Sequence, residues 1–593
     1  MTTADDDVCF RPATELAAML RAREISAREL LDAHLDRIDR LNPAVNAVVT
    51  LDVEGARAAA DAADAALAAG EPVGPLHGLP VAHKDTHATG GMRTTWGSPL
   101  HTDTVSLRDE LVVARLKAAG AVRVGKTNVP EFAAGSHTFN PVFGATHNPY
   151  RHGLSAGGSS GGAAAALAAG FVPVAEGSDM GGSLRNPAGF CNVVGLRPTP
   201  GRVPTWPAAI GWSQLSVQGP MGRTVADVAL QLSVLAGPDR RVPIALDDDP
   251  SAFAAPLPER LDGLRVAWAP DLGGRVTVDP TIVSVLAASV PVFEELGATV
   301  DDACPDLSGA DEVFGTLRAW LFEATFGDLA RRHPDKVKES IRWNAEMGAK
   351  LSGPDLARAE TAHTKLYERM VAFFERYDVL LAPTTQVLPF PVEMEYPTEI
   401  AGVHQDNYLE WMRSCTLISA TGCPALSVPG GFTRDGLPVG LQVIGPPRAD
   451  RRVLETGALM PRAVRWSVGG TFAAVTELDE AGTAHFQKRG YNGGVGINLD
   501  LSKYIAIRAD ANLARNELKV NDVETGLDMS RLFYDASLQF QYPLGNFKPF
   551  ISDETAFVPE GVMLGRLRQY NNVGVDTRGE FANRAFLWGL RQD

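Results

Sequence analysis

Two short glycine-serine stretches hold the residues best suited to chemistry in this chain: GGSSGG at Gly157–Gly162 and GSDMGGSLR at Gly177–Arg185. A serine hydroxyl becomes a nucleophile when a base takes its proton and when backbone N–H groups stand ready to hold charge on the attacked carbonyl. Glycines beside a serine free the backbone to present such groups, since a residue without Cβ takes positive φ and lets a ligand come close. Eleven glycines fall in the 43 residues Gly153–Gly195, against 58 in all 593, so the enrichment is local and needs a reason. A flexible linker would be equally glycine-rich, but this stretch encloses the apolar run Ala163–Val174 and leads into Val193, Val194 and Leu196, as a buried region does.

The usual base for a serine is histidine, which is scarce near these stretches. Upstream, Lys84 stands in GLPVAHKD after a proline-containing apolar segment, where loss of hydration would lower its pKa and leave a neutral amine able to accept a proton. A lone lysine is ordinarily a solvated surface charge, so the case rests on the combination with the serines. Three other motifs compete and fail on context. Gly120–Thr127, GAVRVGKT, fits the phosphate-loop pattern, but a helix over 109–119 precedes it, a short strand lies inside it and Pro130 follows closely. Gly157–Gly161 fits the nucleophile-elbow pattern, yet NPYRHGLSA before it is turn-like and no buried strand leads in. His83 and His87 lie four apart without the glutamate of a zinc-protease helix and read as structural histidines.

Taken together, GLPVAHKD at Gly78–Asp85, AGGSSGGAAAA at Ala156–Ala166, GSDMGGSLRNPAGFCNVVGLRPTPGRVP at Gly177–Pro204 and PALSVPGGFTRDGLPVGLQVIGP at Pro424–Pro446 resemble the amidase signature family of Ser-cisSer-Lys hydrolases. The resemblance covers about residues 10–460, with the motifs in family order. Residues and spacing alone reach a serine hydrolase and no further. Position by position, the resemblance makes Lys84 the catalytic lysine, Ser159 the serine after a cis peptide bond and Ser183 the nucleophile. It makes Met180, Gly181, Gly182 and Ser183 the oxyanion-hole amides, and gives Asp179 and Arg185 the task of fixing that loop. Met180 departs from the Thr or Ile of many relatives, but only its backbone donor is needed. The implied activity is cleavage of the C–N bond of small amides through an acyl-enzyme, extending to aryl amides, carbamates (urethanes) and esters. No cofactor and no metal are implied.

The elements that must position these residues read as α/β in the first 465 residues, an amidase signature fold with a central mixed β-sheet flanked by helices. Ser26 and Glu29 form a capping box before a helix presenting Leu30, Leu31, His34, Leu35 and Ile38 on one face and ending before Pro43. A second helix is expected over 54–69 with Gly70 as its stop, and Val379–Ala382 and Ala425–Val428 as buried strands. The lining of the substrate pocket is expected from Trp96, Phe139–Phe143 and the stretch Leu317–Tyr408.

Residues 466–593 change character. They hold 16 aromatics in 128 residues against 27 in the first 465, so aromatic density roughly doubles, and all five cysteines lie before them. Strict alternation in Val495–Ser502, Tyr504–Leu513 and Tyr534–Tyr542 predicts strands of a β-rich C-terminal extension. This tail resembles part of an outer-membrane β-barrel protein, with a soluble antiparallel β-domain as the alternative.

The balance of 55 basic against 71 acidic residues, a formal charge of −16, argues against a nucleic-acid partner. With 45% hydrophobic and 21% charged residues the chain is globular rather than disordered. Five cysteines without a CxxC pair fit a reducing compartment, and the acidic start MTTADDDVCF lacks the pattern of a signal peptide, so a cytoplasmic location and no membrane for the catalytic part are expected. Expected partners are a small-molecule amide, carbamate or ester substrate and a second copy of the chain as a homodimer. Two further readings stand beside the hydrolase: a glutamine-amidotransferase subunit delivering ammonia to a partner protein, and a chain that is chiefly a membrane barrel.

Overall fold

The computed structural model describes residues 8–460 in full and, after them, the backbone of strands at 466–470, 491–502, 505–520, 523–540, 548–554 and 570–576. The chain divides into two units, 1–463 and 464–593.

The first unit is built on an eleven-stranded mixed sheet. Its strands are β1 (Val48–Leu51), β2 (Pro80–Lys84), β3 (Val122–Thr127), β4 (Val174–Asp179), β5 (Val194–Arg197), β6 (Val217–Gly222), β7 (Arg265–Trp268), β8 (Thr299–Asp302), β9 (Val379–Pro383), β10 (Ala425–Phe432) and β11 (Pro438–Ile444). They lie in the order β1-β3-β2-β4-β6-β5-β10-β11-β9-β7-β8. β2 runs parallel to both β3 and β4, whereas β4–β6, β5–β6 and β5–β10 are antiparallel. β2, β9 and β11 are buried along their whole length, as expected of short apolar runs covered by helices on both faces. The α/β fold with a large mixed central sheet thus stands as read from the sequence.

Ser26 and Glu29 do form a capping box, and the buried face of the helix Ala27–Val45 holds Leu30, Leu31, His34, Leu35 and Ile38. The helix, however, runs through Pro43 instead of stopping before it. Pro43 falls in the last turn, where little of the hydrogen-bond ladder remains to be broken, and Asn46 closes the end in a left-handed conformation, its N–H donating to Asn42 O. The second helix spans Val53–Ala68, followed by Gly70 at φ +74°.

The phosphate-loop look-alike is sheet. The helix Leu111–Ala118 precedes it, β3 occupies Val122–Thr127, and Lys126 is buried, donating to His87 O and to Thr89 Oγ1. In the second unit, strands Tyr491–Ser502, Ile505–Val520 and Val523–Phe540 pair antiparallel in a four-stranded sheet with Trp466–Gly470. Tyr504, Gln541 and Tyr542, parts of the predicted strands, lie outside the described residues. Among the described residues no helix is long and apolar enough to cross a membrane.

Candidate active site

Lys84 is the last residue of β2, and β4 beside it ends in Ser178 and Asp179. Because the two strands are parallel neighbours, both carboxyl ends open at the same edge of the sheet. Lys84 is fully buried, and its Nζ lies 2.8 Å from Ser159 Oγ, 2.9 Å from Ser160 Oγ and 2.9 Å from Ser178 Oγ. Ser159 follows a cis bond from Gly158, and Ser160 stands at the N-cap of the helix Gly161–Ala168, buried from Gly161 to Leu167. A Cβ on Gly177 would stand 2.2 Å from Ser160 Oγ, so only glycine lets β4 pass this close to the serine pair.

Burial lowers the Lys84 pKa from 10.5 to about 7, against the pull of the buried carboxylates of Glu176 and Asp179. Glu176 accepts from Lys84 N–H at 3.1 Å, with His83 Nδ1 3.1 Å and His87 Nδ1 2.5 Å from its two oxygens. Burial works to raise the Glu176 carboxyl, but the facing His87 and His83 outweigh it and hold it low. The two histidines therefore serve a buried carboxylate directly behind the lysine.

The loop after β4 is held by Asp179. Burial would raise this carboxyl, yet the Arg185 and Arg197 guanidiniums keep it well below the usual range. Arg185 grips it with Nε at 3.0 Å and Nη2 at 2.8 Å, and Arg197 Nη1 donates to its backbone oxygen at 2.6 Å. The carboxylate accepts in turn from Gly182 N–H at 2.9 Å and Leu184 N–H at 3.1 Å. Of the four amides expected to serve an oxyanion, that of Gly182 donates to Asp179 in this structure, a carboxylate fixed by two guanidiniums being a strong acceptor. Gly182 sits at φ +105°, and a Cβ there would meet Cys415 Cβ at 2.6 Å. Met180, Gly181 and Ser183 remain on the wall of a cavity of about 290 Å³ that also reaches Ser159 and Ser178.

The cavity wall only partly matches expectation. The helix Ala310–Arg332 contributes Arg318, Leu321, Phe322, Thr325 and Phe326, one face at helical spacing, and Phe132 stands with them. Phe139–Phe143 take no part, and Trp96 lines an adjoining cavity of about 360 Å³ together with His87, Glu110 and Gln218. The segment 201–217, which includes the cis bond Trp206–Pro207, supplies Val203, Thr205 and Ile210 and escapes the sequence reading. Its Pro, Gly and Ser content reads as an ordinary loop.

The Amidase family model matches residues 29–454. The chain belongs to the amidase signature family. Among its family relatives is an acylamidase of Rhodococcus erythropolis, 37% identical over 463 residues that cover 77% of this chain and 96% of the relative. A glutamyl-tRNA(Gln) amidotransferase subunit from Acidothermus cellulolyticus is also 37% identical, over 494 residues covering 78% and 96%. In three dimensions the chain is similar to a bacterial aryl acylamidase of the amidase signature family, at a TM-score of 0.72 and 30% identity over 77% of this chain and 97% of that one.

Proposed function

We propose that this amidase-family C–N hydrolase cleaves small amides, aryl amides included, through a Ser183 acyl-enzyme, with Lys84 and Ser159 as the proton relay. The observation that carries the reading is a buried lysine with a pKa near neutrality whose Nζ lies 2.8 Å from Ser159 Oγ, at the wall of a cavity shared with Ser183. The neutral Lys84 amine takes the Ser159 proton, and Ser159 takes that of Ser183. The Ser183 oxygen then forms a bond to the substrate carbonyl carbon, and the N–H groups of Met180, Gly181 and Ser183 hold the oxyanion. The proton returns through Ser159 to the departing amine nitrogen as the C–N bond breaks. Water, losing its proton to the same relay, displaces the acyl group from Ser183.

Carbamates and esters present the same carbonyl to the same nucleophile and belong to the proposed range. The test is a substrate panel of anilides, aliphatic amides, carbamates, esters and glutamine, run beside Ser183→Ala. Release of aryl amines that disappears in the variant supports the reading. Activity confined to glutamine, and dependent on an added partner protein, would favour the amidotransferase role to which the second relative's name points.

A further inference from the structure

Arg318 lies on the cavity wall and is only 4% exposed. Its charge has no carboxylate opposite it among the described residues, unlike the other buried guanidiniums nearby: Arg185 and Arg197 share Asp179. What faces Arg318 is neutral. Nη2 donates to Tyr408 Oη at 2.7 Å, Nη1 lies 3.0 Å from Met180 Sδ, and the Phe322 ring centroid is 4.2 Å from the guanidinium carbon. Nε has no hydrogen-bond partner in the structure. Tyr408 Oη also accepts from Asn344 Nδ2 at 2.6 Å, so both of its lone pairs are used and the guanidinium is fixed against it.

A buried cation with one neutral oxygen, one thioether and aromatic faces around it is under-compensated, since a thioether accepts weakly and cation–π attraction returns only part of the lost hydration. An anion entering the cavity would meet a guanidinium already desolvated and held in place by Tyr408, with only the soft contact of Met180 at Nη1. Met180 is also the first residue of the oxyanion loop, so an anion bound here lies within a short chain of the carbonyl under attack.

We propose that Arg318 is a specificity-determining residue that anchors a carboxylate on the substrate, so that the enzyme prefers amides bearing a carboxylate close to the scissile bond. The proposal rests on the amide-hydrolase reading above. The carboxylate has two sources, the acyl portion or the amine portion, and the test separates them. N-(para-nitrophenyl)succinamic acid carries it on the acyl side, para-acetamidobenzoate on the amine side, and para-nitrobutyranilide is the neutral reference. The readout is kcat/KM for release of the aryl amine in the wild type, Arg318→Met and Arg318→Lys.

One carboxylated substrate is expected to outperform the neutral one about ten- to a hundredfold in the wild type, the worth of a charge-assisted hydrogen bond. That advantage should vanish in Arg318→Met and shrink in Arg318→Lys. Because the result is a ratio within each variant, a loss of folded enzyme cancels. An unchanged ratio in Arg318→Met overturns the proposal. So does an equal fall for charged and neutral substrates, which would make Arg318 a support for Met180 and its loop. Calorimetric binding of N-(para-nitrophenyl)succinamic acid to Ser183→Ala, with and without Arg318→Met, tells the two readings apart. Binding that needs Arg318, in an enzyme that cleaves no amide, supports the anchor and fails the hydrolase reading. Binding indifferent to Arg318 fails the anchor alone.

Discussion

Replacing Lys84 by Met separates the protonation of the lysine from every other contribution to stability. Folded Lys84 loses its proton near pH 7, whereas in the unfolded chain it keeps one up to about 10.5. Between these values the unfolded state binds one proton more, so stability must rise with pH, by about 1.4 kcal/mol per pH unit. Below pH 7 both states are protonated and the folded protein carries the full penalty, about 5 kcal/mol for a displacement of this size; above 10.5 the penalty is gone. In Lys84→Met the lost contacts to Ser159, Ser160 and Ser178 add a constant, but the pH-dependent part disappears. The assay is urea unfolding of both proteins at several pH values from 7 to 9, read as wild type minus variant. The difference is expected to grow by about 2 kcal/mol over that range, the slope being half its full value at pH 7, where folded Lys84 is half titrated, and the groups common to both proteins cancelling to first order. The same titration should appear in catalysis as a kcat/KM that rises about tenfold per pH unit below 7 and levels off above it. A flat stability difference would mean that Lys84 keeps its proton when folded, and a lysine so protonated cannot begin the relay.

Three further outcomes are expected. A fluorophosphonate should label Ser183 covalently, Ser183→Ala should abolish labelling and lower kcat by a factor on the order of a million, and labelling of Ser159 instead would reverse the assignment. Asp179→Asn removes the carboxylate that Arg185 and Arg197 share and should cost about 3 to 5 kcal/mol in urea unfolding; a cost under about 1 kcal/mol would show that the cluster does not hold the loop. A chain ending near Ser467 should keep both its hydrolytic rate and its thermal midpoint, since the family match closes at residue 454, and a large loss of either would make the tail part of the enzyme.

Lys84, Ser159 and Ser183 can be picked out of the sequence as candidates because they sit in contiguous glycine-rich or proline-containing motifs, and the structure brings Lys84 and Ser159 to 2.8 Å. Ser160 and Ser178 do not stand out there as partners of the lysine. Ser178 meets the lysine because β2 lies beside β4, a pairing across more than ninety residues, and Ser160 because the start of the helix Gly161–Ala168 packs there; no local pattern reveals either. Gly182 takes its assignment from its place in a motif, and only the position of Asp179 in space shows where its amide goes. Arg318 carries no signal because a single arginine on a long helix reads as a solvated charge, and its burial follows from what packs around the helix. Pro43 misleads for a simpler reason: the rule that proline ends a helix weakens in the last turn, where the ladder is already running out.

The long helix Ala310–Arg332 has a consequence for how new specificities arise. The proposed reacting groups sit at the end of β2 (Lys84), ahead of the helix Gly161–Ala168 (Ser159) and in the turn after β4 (Ser183), while part of the cavity wall comes from this one helix, threaded into the sequence between β8 and β9. Replacing Leu321, Phe322, Thr325 or Phe326 redraws the space offered to a substrate without touching the strands that hold the reacting groups. Evolution and the protein engineer alike are thus handed a single exchangeable face, on which a handful of codons can retarget the enzyme while its chemistry stays in place.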